Sequence, residues 1–222
     1  PDLLRRTTHQ TARLHALVGR FDKAFAFARA SEELTLFGAI PTSTLISAIL
    51  CAEALVDAGR PVEAIPVLRR YVEHPMAGTP DLWLHYARMT LARAIIEADS
   101  QAPGNVRQLL DGTLKMFRIT GPLVHLDALI HELIWRNTAG CSDPLEPVLQ
   151  EAEALLAKEA RGLTEGGRVG LLLQMALAHT KLGQHGDVVS LLKDVAPSPG
   201  VPVVPHLFGR VQFALADALT AL

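Results

Sequence analysis

"AEALVDAGRPVEAIPVLRR", residues 52–70, repeats the order of an earlier stretch, "ARLHALVGRFDKAFAFARA", residues 12–30. Each opens on alanine, runs through an apolar helical pattern to Gly-Arg, and continues in a second amphipathic run that ends in basic residues. A third copy, "AHTKLGQHGDVVSLLKD", carries the same signature near the end of the chain. With Gly19, Gly59 and Gly183 aligned, the residue seven before is Ala12, Ala52 or Ala176, and the residue five after is Ala24, Ala64 or Val188. A charged residue precedes the latter (Lys23, Glu63, Asp187). Phe25, Ile65 or Val189 follows it; after one intervening residue come the apolar pairs Phe27-Ala28, Val67-Leu68 and Leu191-Leu192, then Arg29, Arg69 or Lys193.

The spacing has a physical cause. Two antiparallel helices joined by a short turn need a residue that enters the left-handed region after the first helix, and glycine does so at least cost. They need small side chains where the helices come closest, which Ala12 with Ala24 and Ala52 with Ala64 supply. Pro61 stands where a second helix begins and its missing N–H costs nothing. Asp22 and Asp143 stand near other second-helix starts, where a negative charge suits the helix dipole. The pattern therefore predicts helical hairpins at roughly 3–31, 42–74, 80–119, 122–160 and 165–196. In the third, Ser100 to Gly104 is the expected turn; in the fourth, Gly140 is the turn and Leu133 replaces the alanine. "PSPGVPVVP" (197–205) reads as an extended connector and 205–222 as a final helix. The expected sum is ten or eleven helices in one domain.

On these residues the chain resembles the tetratricopeptide repeat family: "ARLHALVGRFDKAFAFA", "AEALVDAGRPVEAIPVL" and "MALAHTKLGQHGDVVSLL" each show its small residue, glycine turn and small-then-apolar second helix. The closing proline is present only loosely, as Pro75. The repeat here is forty residues long, against 34 in the family. The extra length lies in the connections "FGAIPTS", "HPMAGTP", "RITGP" and "RGLTEGG". In this the chain is similar to the longer repeats in sensor segments of large bacterial transcription regulators, and to helical arrays attached to signalling ATPases and caspase-like proteases. The resemblance implies an all-α, right-handed α-solenoid that binds a peptide, a protein segment or a small-molecule effector in a concave groove lined by the first helix of each hairpin. Carried onto this chain, the groove positions include His9, Arg13, Glu53, Asp57, Arg88, Asn137 and Lys181, a set of mixed charge.

Composition agrees with a helical protein. Apolar residues make up 49% of the 222 and charged residues 20%, which excludes a disordered chain, and aromatics are only 5%. Alanine and leucine, strong helix formers, supply most of the apolar share. A net charge of −2 gives no global attraction to nucleic acid or anionic lipid. Apolar runs are too broken for a membrane span, and "PDLLRR" lacks the apolar core of a signal peptide. Cys51 and Cys141 read as reduced thiols of a cytoplasmic protein. The apolar "FALADALTAL" at the end, with no polar cap, leads us to expect a segment of something longer.

No motif points to catalysis. "HELIW" (131–135) begins like the zinc-binding H-E-x-x-H helix, but Trp135 stands where the second imidazole should be. The nine histidines are scattered; His15 and His179 fall four residues before a turn glycine, which suits packing or groove lining. Phosphate-binding glycine loops and a nucleophile elbow are absent. Cys51, within an apolar helix pattern, reads as a buried thiol. Arg5, Arg6, Arg13 and Arg20 read as a solvated face more readily than a nucleic-acid contact. The expectation is a non-enzymatic scaffold without cofactor or metal, with self-association of ends such as "VQFALADALTAL" as its rival.

Overall fold

The computed structural model describes residues 2–18, 20–38, 41–98, 103–138, 141–159, 165–195 and 205–222. Among them are twelve α-helices and no strand. They run α1 (Asp2–Leu17), α2 (Phe21–Gly38), α3 (Pro41–Asp57), α4 (Pro61–Glu73), α5 (Asp81–Ala98), α6 (Pro103–Leu110), α7 (Thr113–Thr120), α8 (Pro122–Asn137), α9 (Glu146–Glu159), α10 (Glu165–Lys181), α11 (His185–Leu192) and α12 (Pro205–Ala221). None of the described helices is long and apolar enough to cross a membrane. The chain divides into two compact units, Pro1–Thr113 and Leu114–Leu222.

In the first unit, α1 packs on α2, α3 on α4 and α5 on α6, and first helices also lie side by side, α1 against α3 and α3 against α5. The turn that decides this arrangement is the one at Gly59. Its φ of 73° is the left-handed conformation that glycine tolerates. The Arg60 N–H then reaches the Leu55 carbonyl (2.8 Å) and the Gly59 N–H the Val56 carbonyl (2.9 Å), which satisfies the last turn of α3. Pro61 follows as the first residue of α4. Ala52 and Ala64 are fully buried in one core with Leu45, Leu55, Leu68 and Leu91, each such leucine worth about 1.5–3 kcal/mol. Ala12 and Ala28 meet Cys51 in a smaller cluster.

In the second unit, α8 packs on α9, α10 on α11, and α12 on both α10 and α11, while α8 and α10 lie side by side. Gly183 repeats the Gly59 turn: φ is 73°, Gln184 N–H reaches His179 O (2.8 Å) and Gly183 N–H reaches Thr180 O (3.0 Å). Ala176 and Val188 are buried together with Val211 of α12. Leu133, at the fourth hairpin's alanine position, is also fully buried, with Leu129, Leu149 and Met175. In the first copy Gly19 lies outside the described residues, but the Arg20 N–H makes the same bond to His15 O (2.9 Å).

Three expectations need correction. The second helix of the third hairpin is not continuous: α6 ends at Leu110 and α7 begins at Thr113, so the described helices exceed the ten or eleven expected. The cause is Gly112, whose φ of 73° cannot continue a right-handed helix. Gly104, expected in the turn, is already inside α6, begun by Pro103; residues 99–102 and Gly140 lie outside the described set. Two connections are also shorter than expected, since α2 runs on to Gly38, well past residue 31, and a single residue, Gly121, separates α7 from α8; the α4–α5 connection spans 74–80, as expected. The connector at 197–205 lies outside the described residues except Pro205, which opens α12.

Candidate functional site

Six residues before the turn glycine, on the first helix of each hairpin, the sequence carries Arg13, Glu53 or Leu177. Glu53 and Asp57 are one turn apart on α3, and Arg93 and Glu97 one turn apart on α5. Because α3 and α5 are neighbours, Arg93 bridges them: its Nη2 donates to Asp57 Oδ1 (2.6 Å) and its Nε to Glu97 Oε1 (2.8 Å). Burial works against the Arg93 charge, but Asp57 and Glu97 outweigh it and hold the guanidinium more firmly protonated than usual. Glu53 is half-buried beside this ladder's Asp57. Arg88, also on α5, is half-buried and adds to burial in holding the His85 imidazolium below its ordinary pKa. His9 is half-buried on α1; Arg13 belongs to the same helix, and its side chain lies outside the described set.

Asn137 and Lys181 come together in the second unit. Asn137 Nδ2 donates to the Gln174 carbonyl (3.0 Å), and Lys181 Nζ donates to the Arg136 carbonyl (2.6 Å). Lys181 thus places its ammonium on the final carbonyls of α8, where a cation suits the dipole by about 0.3–1 kcal/mol. His125 Nε2 lies 2.9 Å from Glu151 Oε1 but makes no hydrogen bond with it. Glu151 is held instead by both arms of Arg118 (2.8 and 2.7 Å).

His15, His131 and His179, singled out in the sequence, each have a partner within the fold. His179 is buried with Nδ1 2.7 Å from Gln184 Oε1, and His15 stacks on Phe27 at 5.4 Å. His131 Nδ1 donates to the Asp127 carbonyl (2.7 Å), and Trp135 is buried. Among the described residues no three His, Cys, Asp or Glu side chains converge as metal ligands would.

Two features had no signal in the sequence. The first is a buried polar cluster centred on Glu32, which is 1% exposed. Its carboxylate accepts from Arg29 Nη1 (2.9 Å), from Tyr71 Oη (2.8 Å) and from Arg70 Nη2. Burial, then the Glu32 hydrogen bond, pushes the Tyr71 hydroxyl up, so it remains a donor. Burial, then the Glu32 charge, pushes the Cys51 thiol up to about 12, which leaves it unreactive. Ser31 and Ser47 share a buried hydrogen bond nearby (3.0 Å).

The second feature is a cleft of about 380 Å³ between α10 and α12. Leu173, Leu177 and Ala214 line it, and Phe213 stands over it 70% exposed. Thr180, Arg210 and Asp217 form its polar margin. Leu177 in this cleft stands at the sequence position where other hairpins carry Arg13 or Glu53. A larger depression of about 570 Å³ lies at the turn end of the first two hairpins, but its Arg60 is already bonded to Glu63 (2.8 Å) and pairs with Asp22.

The chain matches no family model, no curated protein and no solved structure.

Proposed function

We propose that this chain is a non-catalytic, tetratricopeptide-like scaffold whose first-helix face binds a peptide or protein segment, with a small-molecule effector as a further class of ligand. We place it as the sensor or interaction part of a bacterial regulatory protein that acts in the cytoplasm. The observation that supports this most is the α10–α12 cleft. It is apolar at its floor and polar at its margin, which is how recognition grooves combine affinity with orientation. The Asp57–Arg93–Glu97 ladder supports the same reading in the first unit, since it sets charged, partly exposed side chains across neighbouring first helices. His9, Arg13, Glu53, Asp57, Arg88, Asn137 and Lys181 remain the proposed contact positions, with Asp57, Asn137 and Lys181 also tied into the scaffold.

The test is a peptide display library panned against the chain, followed by binding measurements on the enriched sequences. The reading expects amphipathic peptides whose binding is lost in Leu177→Asp and weakened in Phe213→Ala, with helicity retained. Failure to enrich any peptide, or binding indifferent to Leu177, Phe213, Glu53 and Asp57, would defeat it.

A further inference from the structure

The exposed face of α12 carries a large aromatic side chain between two opposite charges. "RVQFALAD" (210–217) places Arg210 and Asp217 seven residues apart, two turns on one face, with the exposed Phe213 near the midpoint. Both charges are exposed, and among the described residues neither pairs with another charged group. Val211, Ala214 and Ala218 form one stripe buried against the unit's core and hold α12 in place, leaving Arg210, Phe213 and Asp217 exposed beside it.

We propose that a second copy of this chain occupies the α10–α12 cleft through an antiparallel, two-fold contact between the α12 helices. In such an isologous contact each residue i meets j while j meets i. An axis passing between Phe213 and Ala214 sets Arg210 of each copy opposite Asp217 of the other. Each Phe213 then lies close to the axis, at the mouth of the other copy's cleft, which Leu173, Leu177 and the buried Ala214 floor. A parallel pairing would instead set Arg210 near Arg210 and Asp217 near Asp217, so the charges select the antiparallel arrangement. The small exposed residues Gly209 and Ala216 let the two backbones approach; a Cβ at Gly209 would meet nothing within 4 Å. The cleft asks of its ligand an aromatic side chain between opposite charges two turns apart, and α12 read backwards is that ligand. The inference rests on the reading of the cleft as a docking surface and names its occupant.

The test is sedimentation velocity from micromolar to millimolar chain, with charge-reversed variants. The wild-type chain is expected to pass from monomer to dimer as concentration rises. Arg210→Asp and Asp217→Arg, each alone, set like charges together twice per dimer and weaken association by about tenfold or more. Mixed in equal amounts, the two variants restore a heterodimer, because Asp at 210 then meets Arg at 217 and the native Asp217 meets the native Arg210. That rescue cannot come from misfolded chains. Phe213→Ala weakens the dimer without any charge effect. A wild-type chain that stays monomeric, single variants that associate as the wild type does, or a mixture that fails to recover overturns the proposal. A monomer that still captures displayed peptides at Leu177 removes this inference and leaves the proposed function standing; a monomer that captures none removes both.

Discussion

Replacing Glu32 with alanine should open the first unit more than any surface change can. The carboxylate is 1% exposed and accepts three hydrogen bonds, from Arg29, Arg70 and Tyr71. The two arginine side chains are 43% and 50% exposed, so without Glu32 they turn to water at small cost. Tyr71 cannot: it is 7% exposed, and its hydroxyl is left buried without this acceptor, at about 1–3 kcal/mol. Loss of charge-assisted bonds and of packed side-chain volume brings the expected total to about 3 kcal/mol. Cys51 supplies a local readout, because it is fully buried in contact with this unit's core and its thiol is held at about 12. A disulfide reagent reaches it only when the unit opens, and Cys141→Ser removes the background from the other, partly exposed thiol. At 1.36 kcal/mol per tenfold, Glu32→Ala should raise the Cys51 labelling rate by about a hundredfold. Tyr71→Phe, which removes the buried donor along with its bond, should raise it much less. A rise below about fivefold in Glu32→Ala would refute the claim that the cluster holds α2, α3 and α4 together.

Three further outcomes follow from the same packing. Gly59→Ala should cost roughly 1–2 kcal/mol in a urea melt, all of it from forcing a Cβ to φ 73°, since that Cβ would touch nothing within 4 Å; Gly59→Asn should cost less. Arg93→Met should cost about 1–2 kcal/mol by breaking both Asp57 and Glu97 contacts, and a double-mutant cycle with Asp57→Asn should show the two changes to be non-additive. His85 sets an acid-side dependence: burial first, then Arg88, lower its pKa, so on acidification the unfolded chain takes up the proton before the folded one. Its contribution is therefore present above about pH 6.5 and lost as the pH falls through the folded value. In urea melts followed by circular dichroism, His85→Asn should flatten that part of the pH profile.

The hairpin repeat was legible because its determinants are local. A glycine that must turn left-handed, a proline that can only start a helix and an alanine where two helices touch each declare themselves within a dozen residues. Gly59, Pro61, Ala52, Ala64, Gly183 and Ala176 all took the positions that the alignment predicted. The break at Gly112 was missed because a glycine inside an amphipathic run looks the same whether the helix tolerates it or stops there; the backbone angle decides. Glu32 was missed for a different reason. It sits in "ASEELTLF" as an ordinary helix carboxylate, and only the approach of α4, nearly forty residues later, brings Arg70 and Tyr71 onto it. The same holds for Lys181, whose place on the α8 carbonyls depends on two helices forty-five residues apart. Turn chemistry and hydrophobic period are properties of a short segment and can be read from it. Which charges meet, and which apolar face is left open beside Phe213, depend on how those segments stack, and that was settled by the tertiary structure alone.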